Sequence, residues 1–203
     1  DDGIDSHGIQ VLIQAMRDLG HVYVVAPDGN RSASSHSMTL YEEIYVQNTN
    51  GKNEFRCSGT PVDCVKLALN KLLPKKPDLC VSGINHGSNH SVNGLYSGTL
   101  HAAMEGTIQG ISSISFSHLS YDVNLDLTPF NSIIKSISKY VLKYSLPENI
   151  TLNINFPDVI YSKIKGVKLC RQGKGRWKEQ FELQKIIDDK YHYLISGEFN
   201  SEK

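Results

Sequence analysis

Helix-like and strand-like runs of hydrophobic residues alternate along the chain as far as residue 157. Apolar residues recur at helical spacing over residues 8–19, and Gly20 follows as a C-terminal stop. The continuous apolar run 22–26 ends at Pro27 and predicts a buried strand. A strand ahead of Asp1 would complete a βαβ unit, so we expect sequence before Asp1 and also beyond residue 203.

The alternation continues through the middle of the chain, where Thr60 and Thr128 mark helix starts that are each followed by proline. The predicted elements are a loop over 28–37, a hairpin over 38–57 with its turn at 48–51, a helix from Thr60, a strand over 79–81, a loop over 83–98, a helix over 99–109, a strand over 111–116, a helix from Thr128 and a strand over 151–156. Strands that alternate with helices predict an α/β fold with a mostly parallel sheet.

The last part of the chain has a different pattern. It predicts three strands, over 167–170, 180–187 and 191–195, with a turn at 188–189 between the last two. We therefore divide the chain into an α/β core, residues 1–160, and a β-rich extension, residues 161–203. The extension is suited to contacts between copies of the chain, as a hairpin.

Composition narrows the possible partners. The 203 residues are 39% hydrophobic, and 21 Lys and Arg balance 21 Asp and Glu, which argues against a nucleic-acid scaffold. No run approaches the roughly 20 apolar residues of a membrane span, so we expect no membrane partner. The four cysteines form no CxxC pair, which favours free thiols in a reducing compartment and a cytoplasmic location.

Three polar segments follow predicted strands, at residues 1–3, 28–37 and 82–99. Ligands of open α/β sheets bind beyond the carboxyl ends of the strands, so these segments are expected to meet. The adjacent carboxylates of Asp1 and Asp2 are costly unless a positive charge lies between them. Mg²⁺ or Mn²⁺ prefers oxygen ligands, which Ser32 and Asn85 could complete. An ordinary solvated turn is the alternative for this acidic tripeptide.

Two further groups of residues could take part in ligand binding or proton transfer. Ser97-Gly98-Thr99 precedes a predicted helix, whose free N–H groups and dipole favour an anion, although an ordinary helix cap is equally compatible with the residues. Histidines in the polar segments could assist proton transfer, but their spacing does not suggest zinc. They are His7, His36, His86 and His90.

Short motifs occur in a fixed order along the chain, and their combination resembles the SurE (stationary-phase survival) nucleotidase family over roughly residues 1–180. The motifs are Asp1-Asp2-Gly3-Ile4, Ala26-Pro27-Asp28 with Asn30-Arg31-Ser32, Gly59-Thr60-Pro61-Val62-Asp63-Cys64-Val65, Ser82-Gly83-Ile84-Asn85, Tyr96-Ser97-Gly98-Thr99 with Ala102-Ala103-Met104-Glu105-Gly106, and Asn153-Ile154-Asn155-Phe156-Pro157. The chain departs from the family at Ser6-His7, where many members have Ala-Pro, and at residues 91–94, which lack acidic residues.

The resemblance implies a Rossmann-like core with a protruding or swapped C-terminal segment, and a homodimer or homotetramer. It implies one divalent metal ion, Mg²⁺ or Mn²⁺, and hydrolysis of nucleoside 5′- and 3′-monophosphates, with short polyphosphate as a further substrate. The family's metal ligands correspond to Asp1, Asp2, Ser32 and Asn85. Its phosphate-contacting residues correspond to Asn89 and to Ser97, Gly98 and Thr99.

The expected chemistry is metal-assisted hydrolysis of a phosphomonoester, with Asp1 and Asp2 as the catalytic carboxylates. Either carboxylate could orient or deprotonate the attacking water, and the sequence does not decide between them. A covalent aspartyl-phosphate is the rival mechanism. A module that binds a cation or a nucleotide without turnover is the rival function.

Overall fold

The computed structural model describes residues 1–49 and 53–201, and its strands form two small sheets and one long hairpin. The strands are β1 (Val24–Pro27), β2 (Val46–Asn48), β3 (Glu54–Cys57), β4 (Cys80–His86), β5 (Ser113–His118), β6 (Thr151–Phe156), β7 (Arg176–Ile187) and β8 (Lys190–Asn200). The α-helices are α1 (His7–Arg17), α2 (Pro61–Leu67), α3 (Asn93–Tyr96), α4 (Gly98–Ile108) and α5 (Asn131–Tyr144). A π-helical turn (Ala68–Leu72) continues α2, and a 3₁₀ turn (Thr128–Phe130) leads into α5.

The sheets are mostly parallel, as the alternating pattern predicts. Strand β1 pairs in parallel with β3, and β2 pairs antiparallel with β3 as the predicted hairpin. Strands β4, β5 and β6 are all parallel, while β7 and β8 form a separate antiparallel hairpin. Residues 50 and 51 of the turn predicted at 48–51 lie outside the described residues. The α/β class and the C-terminal hairpin are confirmed.

Strand β5 is buried on both faces, and its alternating sequence explains how each face packs. Ile114 and Phe116 join the main hydrophobic core with residues of α1 and α5. The serines alternate with them and face α4, where small residues let the helix approach closely. A Cβ on Gly106 of α4 would lie 2.6 Å from the Ser113 hydroxyl and 2.9 Å from the Cys80 sulfur. Close packing of α4 on this strand fixes the position of the N-terminus of the helix.

The start of α2 follows its sequence signature. The Thr60 hydroxyl accepts a hydrogen bond of 3.1 Å from the Asp63 N–H, and the Asp63 carboxylate accepts one of 2.9 Å from the Thr60 N–H. This reciprocal pair is a capping box, and Pro61 occupies the first helical turn, where its missing N–H costs nothing. The Thr60 prediction is confirmed.

An apolar cavity of about 680 Å³ lies between β1 and β4, the adjacent edge strands of the two sheets. Side chains of α1 line it on one side, and Asp1 and Asp2 lie at its rim.

Two predicted features differ in the structure. The strand predicted over 167–170 is wrong, because this segment pairs with no strand of the described residues and Val167 and Leu169 are 74% and 92% exposed. The loop predicted over 83–98 is shorter than expected, since β4 extends to His86 and α3 forms within it. None of the helices within residues 1–49 and 53–201 is long and apolar enough to cross a membrane.

The buried imidazole of His118 makes stability depend on pH. Its side chain packs against the ring of Phe130, and it is only 1% exposed. Burial, together with the neighbouring His86, lowers the pKa of His118 below its ordinary value of 6.5. Between the folded-state pKa and 6.5 the unfolded chain therefore binds more protons than the folded chain. The stabilising effect is complete above 6.5 and is lost as the pH falls through the folded-state pKa.

We expect the free energy of unfolding, measured by chemical denaturation, to fall between pH 7.5 and pH 5.5. The variant His118→Asn should show a shallower fall, since asparagine cannot be protonated but retains an acceptor for the Ser120 N–H, which bonds His118 Nδ1 at 3.0 Å. The same pH dependence in both proteins would contradict this account.

Candidate active site

The acidic turn at the start of the chain connects the three polar segments. Asp1 Oδ2 accepts a hydrogen bond of 3.2 Å from the Thr99 N–H, and Asp2 Oδ2 accepts one of 3.2 Å from the His86 N–H. The Asp1 carbonyl accepts a bond of 2.8 Å from the Arg31 N–H. The predicted convergence of residues 1–3, 28–37 and 82–99 is therefore confirmed by direct contacts.

Asp1 and Asn85 present oxygen atoms that suit a hard cation. Asp1 Oδ1 is buried and has no hydrogen-bond partner, whereas its Oδ2 is already engaged. Asn85 is 8% exposed, and its amide nitrogen donates to the carbonyls of His86 and Gly87 at 3.3 and 2.8 Å. This arrangement leaves the amide oxygen of Asn85 as the end available to a cation.

Ser32 lies on the exposed side of the same site. Its hydroxyl and its N–H both donate to the Asn30 side-chain oxygen, at 2.6 and 2.7 Å, and Arg31 links this turn to Asp1. No group of three or more His, Cys, Asp or Glu side chains with metal-binding geometry lies within the described ranges. A cation here would be held by two carboxylates and neutral oxygens, a donor set suited to Mg²⁺ or Mn²⁺ rather than zinc.

The N-terminus of α4 lies directly beside Asp1. Ser97 caps the helix, because its hydroxyl oxygen accepts a bond of 2.9 Å from the Leu100 N–H. Gly98 has no room for a side chain, since a Cβ would lie 2.5 Å from the Ser34 hydroxyl, 2.9 Å from Pro61 Cγ and 3.0 Å from Asp1 Cβ. The structure thus brings Ser97, Gly98 and Thr99 against the acidic pair, where the Thr99 N–H already donates to Asp1 Oδ2 and the helix dipole favours negative charge.

Asn89 anchors the loop that precedes this helix. Its N–H donates to the Asn155 side chain at 2.8 Å, and its amide nitrogen donates to the Ser117 hydroxyl at 2.7 Å. The Asn153 amide in turn donates to the Asn89 carbonyl at 2.7 Å. These bonds fix the loop to the ends of β5 and β6. The phosphate contact expected for Asn89 stays a prediction.

A buried ionic network, which the sequence does not predict, connects α4 to α2 and to the loop that contains Ser32. Glu105 of α4 is 2% exposed, and its carboxylate lies 2.9 Å from His36 Nε2 and 2.7 Å from Lys66 Nζ. Gln109 donates a third bond, of 2.8 Å. Burial alone raises the pKa of Glu105, but the bonds from Lys66, His36 and Gln109 outweigh it and hold the pKa below its ordinary value. The one sequence signal for this network is Glu105, an acidic residue within the motif of mostly small residues at 102–106.

His36 also brings its loop against α4, whose N-terminus is the candidate anion site. The His36 ring meets the His101 ring edge-on at 5.1 Å, and His101 Nδ1 bonds the Ser97 carbonyl at 2.7 Å. The Ser35 N–H donates to the Tyr96 carbonyl at 3.0 Å. The loop that contains Ser32 is therefore held at a fixed position relative to the N-terminus of α4.

The other candidate histidines have different surroundings. His7 begins α1. Both ring nitrogens of His86 are buried without a hydrogen-bond partner, while the His90 ring packs edge-on against Phe199 of β8 at 5.6 Å. No contact of these rings with the acidic pair is observed among the described residues, and a role in proton transfer stays a prediction.

We expect Glu105→Gln to lower the free energy of unfolding by about 3 kcal/mol, since it removes a buried charge that faces Lys66 and His36. Chemical denaturation at neutral pH measures the loss. The matched control is Glu43→Gln, because Glu43 is exposed. A loss no larger than that of the control would show that the network contributes little.

Comparisons with known proteins agree with this fold. A sequence profile described as "Survival protein SurE" matches residues 1–179. A protein named 5′-nucleotidase SurE from Flavobacterium psychrophilum is 48% identical over 98% of this chain and 79% of its own length. Its namesake from Christiangramia forsetii is 45% identical over 98% and 78%. The crystal structure of the SurE protein from Aquifex aeolicus superimposes with a TM-score of 0.84 at 41% identity, covering 98% of this chain and 80% of that one. The chain belongs to the SurE family.

Proposed function

We propose that this protein is a divalent-metal-dependent phosphomonoesterase that hydrolyses nucleoside 5′-monophosphates to nucleoside and phosphate. The observation that carries the proposal is the position of the Asp1–Asp2 pair at the N-terminus of α4, with Asp1 Oδ1 buried and unpartnered. The relatives named 5′-nucleotidase SurE, which are 48% and 45% identical to this chain over the aligned residues, support the substrate class.

Electrostatics explains why the site needs a cation. Two carboxylates repel the phosphate dianion that the helix N-terminus attracts, so the substrate could not approach both without a positive charge between them. Asp1, Asp2, Ser32 and Asn85 would hold Mg²⁺ or Mn²⁺. When bound, the cation would supply charge neutralisation and would lower the pKa of a water molecule.

The residues of the chain supply positioning around the reacting phosphorus. The dipole of α4 would attract the phosphate, and the hydroxyl groups of Ser97 and Thr99 would donate to its oxygens. Whichever of Asp1 and Asp2 faces the attacking water would orient it and accept its proton. Direct attack by a carboxylate, to form an aspartyl-phosphate, is the rival route, and trapping of phosphate on Asp1 or Asp2 would establish it instead.

We extend the proposal to nucleoside 3′-monophosphates and short polyphosphate, because the residues named above would contact only the phosphoryl group. Nothing in the contacts of Ser97–Thr99 distinguishes the position of the ester oxygen. We also place the protein in the cytoplasm, where nucleoside monophosphates are available.

The direct test is phosphate release from a panel of nucleoside monophosphates with EDTA, Mg²⁺ or Mn²⁺. We expect metal-dependent release in the wild type and a loss of about 10²-fold or more in Asp2→Asn, since that change removes half of the acidic pair. Asp5→Asn is the matched control, because Asp5 is exposed and pairs with Arg56 outside the site. Stoichiometric nucleotide binding without release under any metal would instead establish a binding module.

The C-terminal hairpin supports a proposed homodimer or homotetramer. Cross-strand pairs Phe181–Ile195 and Leu183–Tyr193 lie on one face of the β7–β8 hairpin, and all four side chains are 48–64% exposed. The opposite face has polar pairs such as Gln180–Ser196. Exposed apolar faces of this kind mark interaction sites, and a second copy of the chain is the partner that we propose.

We expect the double variant Phe181→Lys/Ile195→Glu to shift the protein to a smaller species in size-exclusion chromatography with light scattering. Opposite charges across the strands preserve the hairpin while the apolar face is lost. The control Gln180→Lys/Ser196→Glu places the same charges on the polar face and should retain the oligomer. If both variants behave like the wild type, the hairpin is not the interface.

A further inference from the structure

The base of the C-terminal hairpin rests on the loop that contains Asn89. This base is formed by the paired residues Trp177 and Phe199, and the loop covers residues 88–93, from just after β4 to the first residue of α3. We infer that Trp177 is a positioning residue, which holds the 88–93 loop, and Asn89 with it, in the conformation that binds the phosphate of the substrate. The inference rests on the proposed function and on the phosphate contact expected for Asn89.

Trp177 is bonded to the loop through the side-chain amide of Asn93. Trp177 Nε1 donates to Asn93 Oδ1 at 2.6 Å, and Asn93 Nδ2 donates to the Ser88 hydroxyl at 3.1 Å. The Asn93 N–H also donates to the His90 carbonyl at 3.1 Å. A single asparagine therefore connects the hairpin to both ends of the loop and to the immediate neighbours of Asn89.

The hairpin region contacts the loop at two further points. Gln172, just ahead of β7, donates from Nε2 to the Ser91 carbonyl at 2.6 Å. A Cβ on Gly173 would lie 2.4 Å from the Ser91 hydroxyl, so the two segments approach closely there. The His90 ring meets the Phe199 ring edge-on at 5.6 Å. The base of the hairpin and the residues before it thus cover one side of the loop.

The backbone of Ser91 indicates that these contacts determine the shape of the loop. Its φ of 52° lies in the left-handed region, which is unfavourable for a residue other than glycine. Such a conformation persists where the neighbouring structure enforces it. Ser91 is 5% exposed, and its neighbours include Gln172 and Gly173 on the hairpin side and His90 within the loop.

The two parts of the loop are held by different elements. Asn89 is bonded to the end of β6, as described above. Among the described residues, the side-chain hydrogen bonds that reach residues 90–93 from outside the loop come only from Gln172 and Trp177. Helix α3 starts at the end of the loop and leads directly to Ser97, the cap of α4. A loop released from the hairpin would therefore lose its fixed position on the path from Asn89 to the start of α4.

The test compares Trp177→Phe with a control hairpin variant, Ser196→Ala. Phenylalanine keeps a ring against Phe199 but removes the donor to Asn93, whereas Ser196→Ala removes a bond of 3.1 Å to Glu182 within the hairpin. We expect Trp177→Phe to weaken the binding of inorganic phosphate, measured by calorimetry with Mn²⁺, by about threefold or more, since one hydrogen bond that orders the loop is lost. Ser196→Ala should bind phosphate as the wild type does.

Two further measurements separate positioning from a general structural role. Hydrogen exchange of the backbone amides at 88–96 should be faster in Trp177→Phe and unchanged in Ser196→Ala, with the oligomer retained in both. In an Asn93→Ala background, Trp177→Phe should cause no further loss of phosphate affinity, because the acceptor of its bond is already absent.

Equal phosphate affinity in the wild type and Trp177→Phe would overturn the inference, whether or not the wild type hydrolyses nucleotides. Additive losses in the double variant, or loss of the oligomer in Trp177→Phe, would also overturn it, because Trp177 would then support the hairpin as a whole. Weaker phosphate binding with faster exchange confined to 88–96 would support it even if turnover were absent. A wild type that binds no phosphate with Mn²⁺ would contradict the proposed function and the inference together.

Discussion

Two adjacent carboxylates at one end of a sheet repel each other, and the rest of the site is arranged around that repulsion. Backbone N–H groups of Thr99 and His86 each donate to one carboxylate of the Asp1–Asp2 pair, at 3.2 Å. These bonds spread part of the negative charge, and the dipole of α4 adds to the effect on the Asp1 side. They leave Asp1 Oδ1 buried and unsatisfied, and this remaining atom is the strongest structural argument for a bound cation.

The position of α4 depends on small residues and one buried charge. Gly106 allows the helix to pack closely against β4 and β5, and Gly98 allows its first turn to contact Asp1 and Ser34. Glu105, bonded to Lys66 and His36, connects the same helix to α2 and to the loop that contains Ser32. The N-terminus of α4, the acidic pair and the loop with Ser32 therefore belong to one packed unit. Such preorganisation is what the proposed phosphoryl transfer requires.

The features that can be predicted from the sequence are those that depend on a few neighbouring residues. The helical spacing before Gly20, the capping box at Thr60 and the motifs around Asn85 and Gly98 each occupy a few neighbouring residues. The supporting network was not predictable in the same way, since His36 and Glu105 are 69 residues apart and meet only in the fold. The strand expected over 167–170 failed for the converse reason. Its local pattern was suitable, but a strand also needs a neighbour to pair with.

The central claim is that the acidic pair binds the phosphate only through a cation. Calorimetric titration of the wild-type protein with adenosine 5′-monophosphate, with and without Mn²⁺, tests it most directly. The account predicts measurable binding with Mn²⁺ and binding at least about tenfold weaker in EDTA, because Asp1 and Asp2 then repel the phosphate. Equal affinity in EDTA and in Mn²⁺ would contradict the account, since the nucleotide would then be held without a charge between the two carboxylates.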